Sequence, residues 1–352
     1  MTPRVERHLA EHAAGGGYRQ AAASLGDFGT TLSHTEVGRK LVHLHKEVHS
    51  ELFGRDATVD AALTAPPNRA EVLLIEADGS RYRTNEADAP RRTASTPPED
   101  RGWRENKNAV VARVLPGEGS SSPKELMKTF VATTKDINSL GRDLRTEADR
   151  RGVGKAKTVV ALSDNGHGIP GMLERYFKNI EVSRVTDFYH SAERLADVAG
   201  VAAGPTDQRR KQRLFQSLRD DLWHGRTNKL GRRLRGHASR RSPRPDRLAD
   251  LAQGSDEKRL WEHAMYFEKF GATMNYPEYR AKGWPIGSGS VESACGRIGE
   301  RVKHARMRWT RPGADALHTI KAAMMSEDGR WEHRWPDAIP VLEAAAIAQG
   351  AN

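Results

Sequence analysis

Apolar residues recur at helical spacing through the first fifty positions of the chain. This pattern predicts short helices at 5–9 and 18–25, followed by a longer helix that begins behind a capping box formed by Ser33 and Glu36. Two helices joined by a short turn are typical of a helix-turn-helix and equally of a plain helical hairpin. The pattern fits either interpretation.

Runs of adjacent apolar residues dominate the next part of the chain, after two prolines at positions 66 and 67. Buried strands are predicted at 72–75, 109–115, 158–162 and 181–187. Helical spacing predicts one long helix or two short ones within 123–150, a helix at 170–177 and another from about 191, whereas the polar stretch 85–102 is predicted to be a loop. Strands followed by alternating helix and strand predict an α/β fold with a mixed sheet covered by helices.

The C-terminal third returns to helical spacing. Helices are predicted within 205–238, within 248–281, from about 290, at 313–325 and at the tail 341–352. The stretch 239–247 is too polar and proline-rich to be anything but a loop.

The charge of the chain is concentrated in one segment. The 352 residues include 57 Lys or Arg against 46 Asp or Glu, a net charge of +11, and residues 205–247 alone contain 14 Lys or Arg against 4 Asp. A basic run of this kind is a solvated face, a flexible tether or a phosphate-binding surface. The density favours phosphate contact, and nucleic acid is therefore the first candidate partner.

Other classes of protein fit the composition poorly. No apolar run approaches the roughly 20 residues needed to span a bilayer, and the N-terminal residues lack the apolar core of a signal peptide. Cys295 is the single cysteine, so the sequence offers neither an internal disulfide nor a Cys/His zinc cluster. These features predict a protein of the reducing cytoplasm. Binding to nucleic acid would associate it with the nucleoid.

Three acidic residues occupy positions that suit a metal site. Asp78 and Asp164 each follow a predicted buried strand, and their carboxylates converge if the two strands are parallel neighbours. An Asp-Gly pair after a strand is also a common turn signal. Glu292 lies in the first turn of the helix predicted from Ser290, on a flank left bare by Gly296 and Gly299, where a cation could approach. The plain alternative is a first-turn acid that interacts with the helix dipole.

Together these acids suggest phosphodiester chemistry. Three converging carboxylates cannot all stay ionised without cations, and their oxygens suit Mg²⁺ or Mn²⁺. A pair of such ions about 3.5–4 Å apart activates an attacking oxygen and stabilises the leaving one. Attack by water would nick DNA, and attack by a 3′-hydroxyl would join strands. The spacing of the acids also leaves room for a helical insertion that carries the basic segment.

Candidate DNA contacts come from the basic segment and from a basic stripe along the helix predicted to run from about residue 290 past residue 305. They are Arg232, Arg233, Arg235, Arg240 and Arg241 in the segment, Arg297, Arg301 and Arg308 on the stripe together with His304, and Lys303 on the flank that carries Glu292.

Several motifs resemble a known family, the bacterial insertion-sequence transposases of the ISKra type, with Mutator-like relatives. The similar stretches are Glu76–Thr84 with Gly102–Lys107, Ser163–Gly168 with Asp187–His190, Asn275–Pro277, Pro285–Gly289, Val291–Cys295, Arg301–Lys303, Met307–Trp309 and Gly329–Trp331. They cover roughly residues 70–335, and the stretch around Glu292 is the most specific.

The resemblance implies an RNase H-like fold in which Asp78, Asp164 and Glu292 are catalytic and hold two Mg²⁺ or Mn²⁺ ions. It implies excision and integration of double-stranded DNA by an oligomer that holds both element ends, and it makes Asp187 and His190 an accessory motif near the site. Closing a strand and capping the next helix is an equally good role for that pair. A silent DNA-binding remnant and a nuclease without strand transfer remain the alternatives.

The predicted organisation follows from these assignments. It comprises a helical, possibly helix-turn-helix segment at 1–65, the first part of the catalytic domain at 66–204, a basic helical insertion at 205–283, the completion of the catalytic domain at 284–340 and a tail at 341–352.

Overall fold

A computed structural model describes residues 1–54, 72–85, 102–118, 121–166, 168–303 and 307–335. The predicted break at 66–67, most of the predicted loop at 85–102 and the predicted tail helix lie outside these residues, as do His167 and His304.

Three helices precede the sheet: α1 (Pro3–Gly15), α2 (Tyr18–Ser24) and α3 (His34–Phe53). The strands are β1 (Val72–Arg83), β2 (Trp103–Leu115), β3 (Lys124–Thr133), β4 (Thr158–Ser163) and β5 (Val182–Thr186). The later helices are α4 (Ile137–Arg150), α5 (Ile169–Tyr176), α6 (Phe188–Ala203), α7 (Gln208–Trp223), α8 (Thr227–Ser239), α9 (Asp256–Phe270), α10 (Tyr276–Ala281), α11 (Gly289–Gly299), α12 (Arg311–Met325) and α13 (Arg330–His333).

The five strands form one mixed sheet in the order β3-β2-β1-β4-β5. β1 pairs antiparallel with β2 and β2 with β3, whereas β4 runs parallel to both β1 and β5. The mixed α/β sheet is confirmed, and this order and these directions are consistent with an RNase H-like fold. Parallel pairing of the first and fourth strands, the condition for converging aspartates, is also present.

Alternate residues of β1 face opposite sides of the sheet. Leu73 and Ile75 pack with α4 and α5 on one side. Val72 and Leu74 belong to a larger core on the other side, which includes α6 to α11. A third core joins α1, α2 and α3 to α12 and to Tyr82 near the end of β1. No helix within the described residues is long and apolar enough to span a bilayer.

Most predicted elements are confirmed, including the capping box at Ser33 and Glu36, whose side chain and backbone bonds are both present. The prediction of helix throughout 123–150 was wrong, because 124–133 forms the outer strand β3. The spacing of Leu126, Met127, Phe130 and Val131 fits a helix. The β-branched and aromatic residues around them instead fit a strand that hydrogen-bonds along β2.

Two boundaries also differ from expectation. β1 does not end at Asp78 but continues to Arg83, because β2 is long enough to pair with β1 over that whole length. Only the pairing of β1 with β4 stops earlier, at Glu76. The helix carrying Glu292 ends at Gly299, so Arg301 and Arg308 do not lie on one stripe with Arg297.

His318, within α12, gives the fold a measurable acid sensitivity. The side chain is fully buried, its Nδ1 lies 2.6 Å from the carbonyl oxygen of Ala314, and burial lowers its pKa to about 4. The unfolded chain takes up a proton near pH 6.5 and the folded chain does not, so stability should rise with pH between about 4 and 6.5.

We expect the wild type to lose on the order of 3 kcal/mol of unfolding free energy between pH 7 and pH 4 from this residue alone. In His318→Phe, the loss of unfolding free energy between the two pH values should be smaller than in the wild type by about that amount. Urea titrations at both pH values measure it. His43→Gln, which changes a histidine that is 74% exposed, should follow the wild type. Equal pH dependence in all three proteins would contradict the assignment.

Candidate active site

Asp78 and Asp164 line the same cleft at the edge of the β1 and β4 pairing. The cleft has a volume of about 170 Å³, and Lys107 and Glu105 of β2 also line it. Asp78 lies two residues beyond the last residue of β1 that pairs with β4, and Asp164 directly follows β4. The structure thus brings these two predicted site residues together.

The carboxylate of Asp78 is partly withdrawn from water. Burial, together with the charge of Asp164, raises its pKa. One oxygen accepts a 2.6 Å hydrogen bond from the backbone of Gly79, and the other lies 3.5 Å from the thiol of Cys295. Two negative groups in one half-dry cleft are the electrostatic condition that favours a bound cation.

A strained turn fixes Asp164. Its Oδ1 accepts a 2.7 Å hydrogen bond from the backbone of Gly166, and Asn165 between them has a positive φ of 59°. The Asn165 amide donates to Thr186 at 2.8 Å, and the hydroxyl of Tyr266 donates to the Asp164 carbonyl at 3.0 Å. β5 and α9 therefore hold the turn that presents this carboxylate.

Glu292 lies in a second acidic group, with Asp187 and His190. Asp187 is buried and caps α6 by accepting a 2.8 Å hydrogen bond from the backbone of His190. Its other oxygen accepts bonds from the backbone and hydroxyl of Ser288, whose hydroxyl lies 3.0 Å from Glu292 Oε1. Asp187 thus ties the start of α6 to the start of α11, and so sets where Glu292 projects.

His190 is placed between these carboxylates. Its Nδ1 lies 3.5 Å from Asp187 and 3.6 Å from Glu292. The adjacent carboxylate of Asp187 raises the pKa of His190 to about 9, with further contributions from the charges of Glu292 and Asp164. An imidazolium therefore sits beside Glu292 at neutral pH. Within the described residues, Asp187, His190 and Glu292 are also close enough together to hold a metal ion.

Helix α11 brings the two groups towards each other. Cys295 contacts Asp78. Glu292 precedes Cys295 by three residues, so Glu292 and Cys295 are neighbours about one turn apart on the helix surface, with Cβ atoms about 5–6 Å apart. Glu292 lies on the exposed side of this helix and Cys295 on the buried side. The structure thus places Glu292 within about one helical turn of the residue that touches Asp78.

Glu76 is a further acidic residue near the site that was not predicted from the sequence. This side chain is fully buried in β1, accepts a 2.8 Å hydrogen bond from the backbone of Val291, and leaves its other oxygen without a partner among the described residues. Burial, with the nearby charge of Glu125, raises its pKa well above the usual range. An acidic residue inside an otherwise apolar central strand is the signal that marks it. Through its bond to Val291, Glu76 anchors the first turn of α11 next to Glu292.

The predicted DNA contacts fall into three sets. Arg232, Arg240, Arg297 and Lys303 are exposed. Arg233 is instead bound to Asp221, which is 1% exposed and also contacts Arg226 and Lys229, and Arg235 lies 2.9 Å from Glu268.

The remaining predicted contacts lie elsewhere. Arg241 is exposed and donates to the carbonyl of Val201 at 3.3 Å, while Arg301 and Arg308 line a pocket beside the N-terminal helices. The basic residues therefore do not form one surface.

The donor chemistry fits divalent cations. Asp78 and Asp164 supply carboxylate oxygens in one cleft, where burial, with a smaller contribution from the charge of Asp164, raises the pKa of Asp78. Glu292 lies on α11, one turn before the cysteine that contacts Asp78. Hard oxygen donors of this kind suit Mg²⁺ or Mn²⁺.

Comparisons with known proteins add little. No protein-family model and no curated protein matches the chain. Among solved structures, a chain of the Drosophila P element transposase strand transfer complex has 12% sequence identity and a TM-score of 0.27, over 95% of this chain and 80% of that chain. A similarity at this TM-score carries no inference about function.

Proposed function

We propose that the chain is a DNA transposase that hydrolyses phosphodiester bonds and transfers strands at the ends of an insertion sequence. The observation that carries the proposal is the shared cleft of Asp78 and Asp164, with Glu292 one turn from the cysteine that contacts Asp78. Two acids beside the pairing of adjacent strands and a third on a helix match the Asp-Asp-Glu motif to which the sequence is similar.

Each acid has a role in this proposal. Asp78, Asp164 and Glu292 would hold two Mg²⁺ or Mn²⁺ ions, which when bound activate the attacking oxygen and stabilise the leaving one. Asp187 positions Glu292 through Ser288, and His190 balances the charge beside it. Double-stranded DNA is the substrate, and an oligomer is expected to hold both element ends.

A two-stage assay tests the proposal. The protein should nick a supercoiled plasmid in Mg²⁺ or Mn²⁺, and should join a supplied pre-cut 3′-hydroxyl end to a target. Nicking without joining would indicate an RNase H-like nuclease instead. Binding to DNA with neither activity would indicate a catalytically silent remnant.

The exposed arginines supply a separate prediction about DNA binding. Arg232→Gln and Arg240→Gln should each weaken duplex binding and reduce the slope of log affinity against log salt by about 1, because each phosphate contact releases counterions. The slope is measured by binding titrations between about 50 and 200 mM salt.

Lys178→Gln, which changes an exposed lysine after α5, is the matched control and should keep the wild-type slope. Arg233 is unsuitable for this test, because neutralising it would leave the buried Asp221 with one cation fewer. An unchanged slope in both arginine variants would remove α8 and the loop after it from the DNA path.

A further inference from the structure

A second pocket lies away from the acidic residues. It has a volume of about 900 Å³ and is formed by the turn between α1 and α2, the first turns of α3 and the segment 307–313. A volume of this size accommodates a base, a sugar and a phosphate. None of the catalytic candidates lines it.

Two aromatic side chains form a fixed wall of this pocket. The rings of Tyr18 and Trp309 meet edge to face, with centroids 5.7 Å apart and planes at 88°. Trp309 cannot easily move, since its backbone hydrogen-bonds to Arg83 and Asn85 at 3.0 Å each, beside the end of β1. An aromatic wall held by the sheet is suited to stacking with a planar ligand.

The pocket is also positively charged. Arg19, Arg39, Arg301 and Arg308 line it, and no acidic residue among the described residues does. Arg301 lies over the Trp309 ring, with its guanidinium carbon 5.6 Å from the ring centroid, and makes no ion pair with a described carboxylate. A half-buried guanidinium without a counter-charge is suited to bind an anion.

Polar atoms in the wall have no partner among the described residues. They are the indole nitrogen of Trp309, which is 7% exposed, the hydroxyl of Tyr18 and Nε of Arg301. A buried polar atom without a partner costs free energy. These atoms lie beneath the surface of the wall, so a ligand would reach them only after a side chain shifts, and a hydrogen bond made then would offset that cost.

Glycines keep the pocket open. A Cβ on Gly17, whose φ is +106°, would lie 2.0 Å from the Arg301 guanidinium, and a Cβ on Gly38 would lie 2.9 Å from the Tyr18 ring. Both side chains therefore need glycine at these positions in order to take their places in the wall.

We propose that this pocket binds a nucleotide unit, with the base against Tyr18 and Trp309 and the phosphate on Arg301 and Arg39. The unit is either an unpaired nucleotide of a DNA strand or a free nucleotide. Trp309 forms a backbone bridge to Thr84, which follows Asp78 by six residues. Six residues of extended chain separate the pocket from this aspartate by roughly 20 Å. An unpaired DNA nucleotide held there would fix the strand relative to the candidate active site.

Binding in EDTA tests this without requiring cleavage, so its outcome is separate from that of the proposed function. One probe is a duplex with a single unpaired 2-aminopurine at its end, compared with the blunt duplex of the same length. The other is fluorescently labelled ATP or GTP. We expect at least one of them to bind, the first more tightly than the blunt duplex and with a change in 2-aminopurine fluorescence.

Variants identify the pocket. Arg301→Gln and Tyr18→Leu should weaken binding of that probe about tenfold or more. Arg39→Gln, at an exposed position that does not support the fold, should weaken it several-fold, while the adjacent Lys40→Gln should change it less than twofold. Binding of neither probe, or binding that Arg301→Gln and Arg39→Gln leave unchanged, would overturn the proposal.

Discussion

Replacing Asp164 by asparagine is expected to lower plasmid nicking by about 10³-fold or more, because the loss of one metal-holding carboxylate removes several kcal/mol of transition-state stabilisation. Asp78→Asn and Glu292→Gln should have effects of similar size. These substitutions keep the size of each side chain, and Asn at position 164 can still accept the hydrogen bond from Gly166. The folded state should therefore survive, and circular dichroism should match the wild type.

Glu300→Gln is the control for these variants. It removes an exposed acid that directly follows α11, two turns after Glu292, and should leave nicking within about twofold of the wild type. Gel-based rates in Mg²⁺ and in Mn²⁺ give the comparison. Nicking that persists in all three acid variants would remove the enzyme hypothesis and leave a basic DNA-associating fold.

Replacing Arg330 by methionine is expected to cost about 3–5 kcal/mol of unfolding free energy. Arg330 and Glu147 form a two-bond ion pair, with nitrogen to oxygen distances of 2.7 and 3.1 Å, and Asp328 lies 2.6 Å away. The Glu147 side chain is fully buried. Methionine would remove this pair and leave Glu147 the longer 3.6 Å contact to Arg150 and the side chain of Thr129.

The pH dependence provides a sharper test. Burial alone would raise the pKa of Glu147, but Arg330 brings it below the usual range. Without Arg330 that pKa should rise above its unfolded value. The unfolding free energy that Arg330→Met loses relative to the wild type should then be smaller at pH 5 than at pH 8, since protonation of Glu147 removes the buried charge. Urea titrations at both pH values measure it.

Two comparisons separate an ion pair from general loss of packing. Glu147→Leu combined with Arg330→Met should be more stable than Arg330→Met alone, because the buried carboxylate that has lost its main partner is then absent. Glu174→Gln, which breaks the exposed pair with Arg184, should cost less than about 1 kcal/mol. A double variant less stable than Arg330→Met would contradict the role given to the pair.

The sequence predicted the parts of the fold that depend on local pattern. Continuous apolar runs identified β1 and β4, because a strand covered on both faces has no polar face, and their ends indicated Asp78 and Asp164. Glycine and serine before a helical stripe located the start of α11 to within one residue. These signals lie within a few neighbouring residues and need no knowledge of distant partners.

Long-range contacts were not predictable in the same way. β3 is a strand because β2 offers it hydrogen bonds, although its apolar spacing also fits a helix. Arg233 has the composition of a DNA contact, yet a buried aspartate twelve residues earlier holds it. The role of Glu76 depends on Val291, which is 215 positions away. Each of these depends on which surfaces meet, and composition does not record that.

The core shared by α1, α2, α3 and α12 limits how such a protein could evolve. Leu41 and Leu44 of α3 are buried with Leu317 and Ile320 of α12, on which the first helices close. A lineage could not acquire a different N-terminal module by simple gene fusion, because the incoming segment would have to cover the same apolar face. Any change of specificity carried by these helices is therefore expected to proceed by substitutions on their outer faces, with the inner faces retained.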